Sequence, residues 1–202
     1  MSYRLILEGL ADERHAVTEK RNEYRKYIDK HRSDVLFAYS NFLVPALKGV
    51  RSKQVQDALK AAGSNIINHD LSKYEEIEFE AYRRHWYPTD FESNDTSFCK
   101  DTDGLYKIAW EHHHRVNQHH PEHWYLDKER PSDMPMEFII EMLCDWWSVG
   151  RSNNNSVFDW WKSDKSNKSK IMTDMTLYKL NLIIGVVEEQ IDQGDIEGYG
   201  WV

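Results

Sequence analysis

Cysteine is scarce in this chain. Of 202 residues only Cys99 and Cys144 carry a thiol, and they form neither a disulfide framework nor a Cys-x-x-Cys pair. That excludes a disulfide-stapled secreted fold and makes a reducing cytosol the expected location. Positive charge is also short: Lys and Arg number 26 against 34 Asp and Glu, a net charge of −8. A general nucleic-acid coat needs a basic face to displace counterions from phosphates, so that class is excluded. A small anionic substrate held by metal ions is not. Long apolar runs are missing too, since no segment approaches the roughly 20 apolar residues that span a bilayer. The stretch MSYRLILEGLADER has too short an apolar run and too many early charges for a signal peptide or anchor. No membrane partner is expected.

Repeats and strand-rich regions are absent as well, and what remains is helical periodicity. The expected fold is all-α, one domain over residues 1–202, with length enough for a substantial core. Tyr24, Ile28, His31, Val35, Ala38 and Phe42 recur at steps of three and four, which puts His31 on an apolar face. Pro45 and Gly49 predict the end of that helix. A shorter helix is expected over Lys53–Ala62, ended by Gly63. Ser72 and Glu75 read as a capping box opening a helix that Pro88 stops. Thr89 to Gly104 is polar and reads as a long loop, a place for a substrate lid. A helix then carries Leu105, Ile108, Ala109, His112 and His113. Pro121 to Asp133 reads as a loop, and Pro135 as the first turn of a helix with Phe138, Met142 and Asp145 on its stripe. Glu141 shares a face with Asp145. Phe158, Trp160 and Trp161 fall in a short element, and Lys162–Lys170 in a solvated connector. Leu177, Leu180, Ile184, Val187 and Ile191 mark a last helix.

Histidine is what the chain has in quantity, and it is clustered. His69-Asp70 precedes Lys73; five more histidines, His112, His113, His114, His119 and His120, fall within nine residues; Asp145 follows. Imidazole and carboxylate together suit Fe, Mn, Co or Zn, and a carboxylate can bridge two ions. If the helix continues far enough, His113, Asn117 and His120 share one face, and His112 and His119 a neighbouring one. Spacing does not choose among them. Glu141, Glu111 and Glu122 are available to accept the ring N–H that a ligating imidazole turns away from its metal. Carboxylates at Glu141 and Asp145 on an apolar face demand partners, because an unpaired buried charge is strongly disfavoured. Trp110, Trp124, Trp146 and Trp147 lie beside these motifs. They offer a stacking platform for a base, although Trp at helical spacing is more often core.

The stretches His69-Asp70-Leu71-Ser72-Lys73, Ala109-Trp110-Glu111-His112-His113, Asn117-Gln118-His119-His120 and Glu141-Met142-Leu143-Cys144-Asp145-Trp146 together resemble the HD-domain superfamily of metal-dependent phosphohydrolases. They are most similar to an HD-like family of phages and bacteria. The resemblance implies a helical bundle of HD type with a central metal site. It implies one or two divalent ions, Mn, Fe, Co, Zn or Mg, and hydrolysis of a phosphate ester of a nucleotide or cyclic nucleotide. In its pattern His31, His69, Asp70 and Asp145 hold one ion. His113 with His119, His120 or both completes a second, and Asp70 bridges. Lys73, Asp70 and His120 would be catalytic, with His112, Asn117, Glu122 and Glu141 orienting the ligands. The cyclic-dinucleotide branch of the superfamily shares His69, Asp70 and Lys73, then His119, His120 and Glu122. The chain departs from that branch in continuing His123-Trp124-Tyr125 rather than Gly-Tyr-Pro. The same ligand types also serve di-iron oxygenases of HD fold, and a binding or sequestering protein of phage type with a structural metal.

Overall fold

The computed structural model describes residues 3–94, 96–125, 131–163, 167–198 and 201, and among them every regular element is helical. The protein is all-α. Its α-helices among these residues are α1 (Tyr3–Ala38), α2 (Val44–Leu47), α3 (Lys53–Ile67), α4 (Glu76–Trp86), α5 (Asp90–Ser93), α6 (Thr96–Val116), α7 (Met136–Ser152), α8 (Val157–Lys162) and α9 (Asp174–Asp192). No helix among the described residues is long and apolar enough to cross a membrane. The chain divides into two compact units, His31–Asp70 with Asn117–Val202, and Met1–Lys30 with Leu71–Val116.

In the first of these units α7 is the central element, packed on α3 and α9. Its Ile139, Ile140, Met142, Leu143 and Trp147 are fully buried. The same helix buries Glu141, Asp145 and Ser148, and steps of four and three put these polar groups in one stripe. Pro135 is the cap of α7 rather than a residue of its first turn, with extended backbone at ψ 149°.

All six residues of the stripe from Tyr24 to Phe42, which runs from α1 into the turn after it, are buried. The helix does not simply stop at Pro45. It widens into a π-helical turn over Tyr39–Leu43 and continues as α2, with Pro45 in the first turn. A proline ring clashes with the carbonyl four residues back and offers no N–H, and a wider turn accommodates that loss. Gly63 does not end α3, which runs on to Ile67. Its role is close approach: a Cβ there would meet Tyr39 Oη at 3.0 Å, and that hydroxyl donates to the Leu59 carbonyl at 2.6 Å. The last helix forms as expected, burying Leu180, Ile183, Ile184 and Val187. Part of the expected loop before Asp133 (126–130) and part of the connector after Lys162 (164–166) lie outside the described residues.

The other unit packs α4 on α6 and α6 on α5, over Tyr24, Ile28, Phe79, Ala81, Tyr82 and Ala109. Two expectations fail here. Ser72 does not cap α4: the cap is Glu75, with no side-chain bond, and the Ser72 hydroxyl is turned to Glu78 instead. The segment from Thr89 to Gly104 is not a loop. Thr89 and Glu92 form a reciprocal capping box that starts α5, and α6 begins at Thr96. Polar composition hid a Thr-x-x-Glu signal that satisfies the first amides of a helix. A lid there finds no support. Leu105 and Ile108 are exposed, and the buried face of α6 runs through Thr102, Ala109 and His113.

Candidate metal centre

The centre is built from four separate pieces of chain. His31 comes from the inward face of α1, His69-Asp70 from the turn after α3, His119 from a turn before α7, and Glu141, Asp145 and Ser148 from α7. Asp70 sits in the left-handed region at φ 54°. That conformation is uncommon for a residue with a Cβ, is most tolerated by Asn and Asp, and stores on the order of 1–3 kcal/mol. Arg32 holds the turn in place. Its Nε donates to the His69 carbonyl at 2.8 Å and its Nη2 to the Ile67 carbonyl at 2.8 Å, which satisfies carbonyls left over at a helix C-terminus.

The donor atoms converge. His31 Nε2 lies 3.2 Å from His69 Nε2, 3.2 Å from Asp70 Oδ2 and 3.3 Å from Asp145 Oδ1. His69 Nε2 lies 3.5 Å from Asp70 Oδ2 and 3.8 Å from Asp145 Oδ1. Ligands about 2.1 Å from a common ion stand roughly 3.0 Å apart when octahedral and 3.4 Å when tetrahedral. His31, His69 and Asp70 bring one ligand atom each within 4.8 Å of one another, close enough to share an ion, and Asp145 borders the two rings.

The outer ring nitrogens are committed elsewhere. His69 Nδ1 donates to Glu141 Oε1 at 2.9 Å, and His119 Nδ1 lies 3.1 Å from the same oxygen. His31 Nδ1 lies 3.0 Å from Ser148 Oγ, whose hydroxyl donates to the His31 carbonyl at 3.5 Å. With Nδ1 as the donor in these bonds, the neutral form of each ring turns its Nε2 lone pair to the centre. His119 Nε2 lies 3.6 Å from Asp70 Oδ1, so the two oxygens of Asp70 face different imidazoles.

Three buried carboxylates, Asp70, Glu141 and Asp145, thus surround these imidazoles, and burial without a countercharge costs several kcal/mol per ion. The same charges act on the protonation of the groups. Burial lowers the His69 pKa, but Asp70, Asp145 and Glu141 outweigh it, and the ring is pushed up to about 10. Burial raises Asp145, yet His31 and His69 hold it well below the usual carboxylate range. Burial and the neighbouring His69 charge lower His119. These residues fit a divalent ion.

Other expected site residues fall as follows. Asp70, His119 and His120 bring ligand atoms within 4.8 Å of one another, and so do His120 and Glu122. The His119 and His120 rings lie 4.1 Å apart. Neither is on α6, which ends at Val116; a turn in which the His120 amide donates to the Asn117 carbonyl at 3.3 Å carries them. Asn117 thus shapes that turn with its backbone. Glu122 is paired with Lys168. His112, His113 and Lys73 belong to the other compact unit. There Glu78, fully buried in α4, accepts from His112 Nδ1 at 2.7 Å and His113 Nδ1 at 2.9 Å. It does for those two imidazoles what Glu141 does for His69 and His119. Burial raises the Glu78 pKa, and its bonds to His113, His112 and Ser72 bring it below the ordinary value. Lys73 lines a cavity in that unit with His113 and His114. Of the tryptophans, Trp147 is core; Trp146 stacks on Trp161 at 5.5 Å and Trp124 packs on Phe138 at 5.8 Å. Trp110 is the exception and faces the cavity.

Sequence reasoning missed Glu78, Ser148 and Arg32. Ser148 had a signal, because it continues the Glu141–Asp145 stripe by three residues. Glu78 had a weaker one, a carboxylate four residues before the buried Tyr82.

Fold and site together define an all-α protein with a buried cluster of imidazoles and carboxylates able to hold metal. The chain belongs to a family of unknown function (DUF5662), whose model matches residues 20–185. No curated protein and no solved structure matches it.

The geometry separates two roles on α7. Asp145→Asn removes a donor and should abolish most metal binding. Glu141→Gln removes only the group behind two rings and should weaken affinity on the order of 10–100-fold. Isothermal titration with Mn²⁺ checks this; the reverse order of effects would exchange the two roles.

Proposed function

We propose that the protein is a metal-dependent phosphohydrolase acting on a small anionic substrate, the phosphoester of a nucleotide or cyclic nucleotide. The observation that carries the reading is the group of His31, His69 and Asp70, whose ligand atoms lie within 4.8 Å of one another, with Asp145 Oδ1 3.3 and 3.8 Å from the two rings and their outer ring nitrogens already bonded. When bound, a divalent ion such as Mn, Fe, Co or Zn supplies Lewis acidity toward a phosphoryl oxygen and activates water near neutral pH. Asp70, with Oδ2 toward His31 and His69 and Oδ1 toward His119, would supply a carboxylate oxygen to the ion from either side. Glu141 and Ser148 keep three imidazoles aimed inward without a rotamer search. His120, beside Glu122, holds a proton for the leaving oxygen.

The expected result is release of phosphate or a nucleoside monophosphate that depends on added metal and persists when oxygen is excluded. His120→Gln should lower kcat by about 10²–10⁴-fold. Product analysis of nucleotides and cyclic nucleotides under anaerobic conditions is the check. Turnover that requires oxygen and leaves phosphoesters intact would replace the reading with a di-iron oxygenase. Binding of these compounds without turnover would replace it with a sequestering protein.

A further inference from the structure

The unit formed by Met1–Lys30 and Leu71–Val116 contains a cavity of about 440 Å³ whose walls are predominantly aromatic. That volume lies within the roughly 300–1,000 Å³ of small-molecule pockets. Tyr82, Trp86, Tyr106 and Trp110 line it together with Lys73 and His114. Trp86 is 62% exposed and Trp110 40% exposed. Two indoles left this open beside a cavity do not serve the core, and such surfaces mark binding sites. Their neighbours hold them in place. Trp86 meets Tyr106 edge-on at 6.2 Å, Tyr106 stacks on His85 at 4.1 Å, and Trp110 lies against His114 at 4.0 Å.

The polar groups in the wall narrow the ligand. His114 Nδ1 donates to the Trp110 carbonyl at 2.8 Å, and His113 Nδ1 donates to Glu78 at 2.9 Å. Lys73 is a cation in the same wall, which opposes a quaternary ammonium guest in an aromatic cage and favours an anionic one. We propose that this cavity binds a nucleotide, the base stacked on Trp86 and Trp110 and the phosphate met by Lys73. The inference shares its nucleotide with the hydrolase reading but needs no metal and no turnover.

The test is calorimetric titration of the whole protein in excess chelator with AMP, adenosine, ribose 5-phosphate and choline. AMP and adenosine should bind saturably, AMP about tenfold more tightly, and ribose 5-phosphate and choline should not bind. Trp86→Ala and Trp110→Ala should each weaken AMP and adenosine by about 5- to 150-fold, the worth of one base–aromatic stack. Trp86→Phe should restore much of the loss. Lys73→Ala should erase the preference for AMP and leave adenosine unchanged. Each variant's melting midpoint, expected near wild type for such exposed side chains, guards against loss of fold. Choline binding in place of AMP, no binding of AMP or adenosine into the millimolar range, or binding indifferent to both tryptophans would overturn the proposal. Hydrolysis without this binding, or this binding without hydrolysis, separates its fate from that of the hydrolase reading.

Discussion

Asp70→Ala should strip the protein of most of its metal and abolish the thermal response to added metal. Wild-type protein freed of metal should melt about 5–11 °C higher when Mn²⁺ or Fe²⁺ is supplied at a hundred times its dissociation constant. That range follows from about 2.7 kcal/mol of linkage and 2–4 °C per kcal/mol for a chain of this size. The variant should show none of this rise, because Asp70 Oδ2 faces His31 and His69 at 3.2 and 3.5 Å while Oδ1 faces His119 at 3.6 Å. Asp70→Asn separates two effects. Asparagine accepts the left-handed backbone at φ 54° about as well as aspartate, so it should melt above Asp70→Ala in the metal-free form and still fail to respond. Metal analysis and differential scanning calorimetry give both readings. A wild-type protein that retains no metal and responds to no divalent ion sinks the metal centre altogether.

Glu92→Ala should cost about 3 kcal/mol of stability, the low end of what breaking a buried ion pair costs, or roughly 6–12 °C in melting midpoint. Arg83 is 1% exposed and donates to both Glu92 oxygens, at 2.6 and 2.7 Å. The same carboxylate accepts from the Thr89 amide at 2.8 Å and closes the box that starts α5. Glu80, 3.1 Å from Arg83 Nη2, keeps part of the compensation, which is why the low end applies. Glu92→Gln retains the capping geometry and loses the charge, so it should fall between. The pH dependence has a definite sign. Burial raises the Glu92 pKa, but the bonds from Arg83 and Thr89 lower it further, below the ordinary 4.5. A carboxylate depressed on folding contributes in full above its unfolded value and loses that contribution as pH falls through the folded one. The gap between wild type and Glu92→Ala should therefore be widest near neutrality and close in acid. A variant that melts with wild type at neutral pH would show that Glu80 alone satisfies Arg83.

Much of the centre was legible because it lay on periodic segments. The six-residue stripe that begins in α1 turned His31 inward, and the four-residue step from Glu141 to Asp145 put both on one face; both placements hold in the structure. His69-Asp70 stood out by residue type alone. What spacing does not report is which side chain faces another across a packed interface. Glu141 meets His69 from seventy-two residues away, and Glu78 meets His112 and His113 from thirty-four and thirty-five. No local pattern encodes those pairs. Turns were harder still. His113 and His120 share a helix face only if that helix runs on past Val116, where α6 ends; a turn places His119 and His120. In two places a local signal was misread. Ser72 matched a capping pattern while its hydroxyl went to a buried carboxylate, and Thr89-x-x-Glu92 was overlooked inside a stretch whose polarity suggested a loop.

A single oxygen, Glu141 Oε1, receives the outer N–H of two imidazoles, at 2.9 and 3.1 Å. The energies of His69 and His119 are therefore not separate quantities. Once either ring is gone, the oxygen is left with one donor, swings toward it, and changes what the survivor is worth. In a thermodynamic cycle between the two positions the terms should fail to add, as they do for residues that share a partner. The chain has tied two imidazoles to one fulcrum, so a substitution at either position has no fixed cost of its own, only one set by the state of the other.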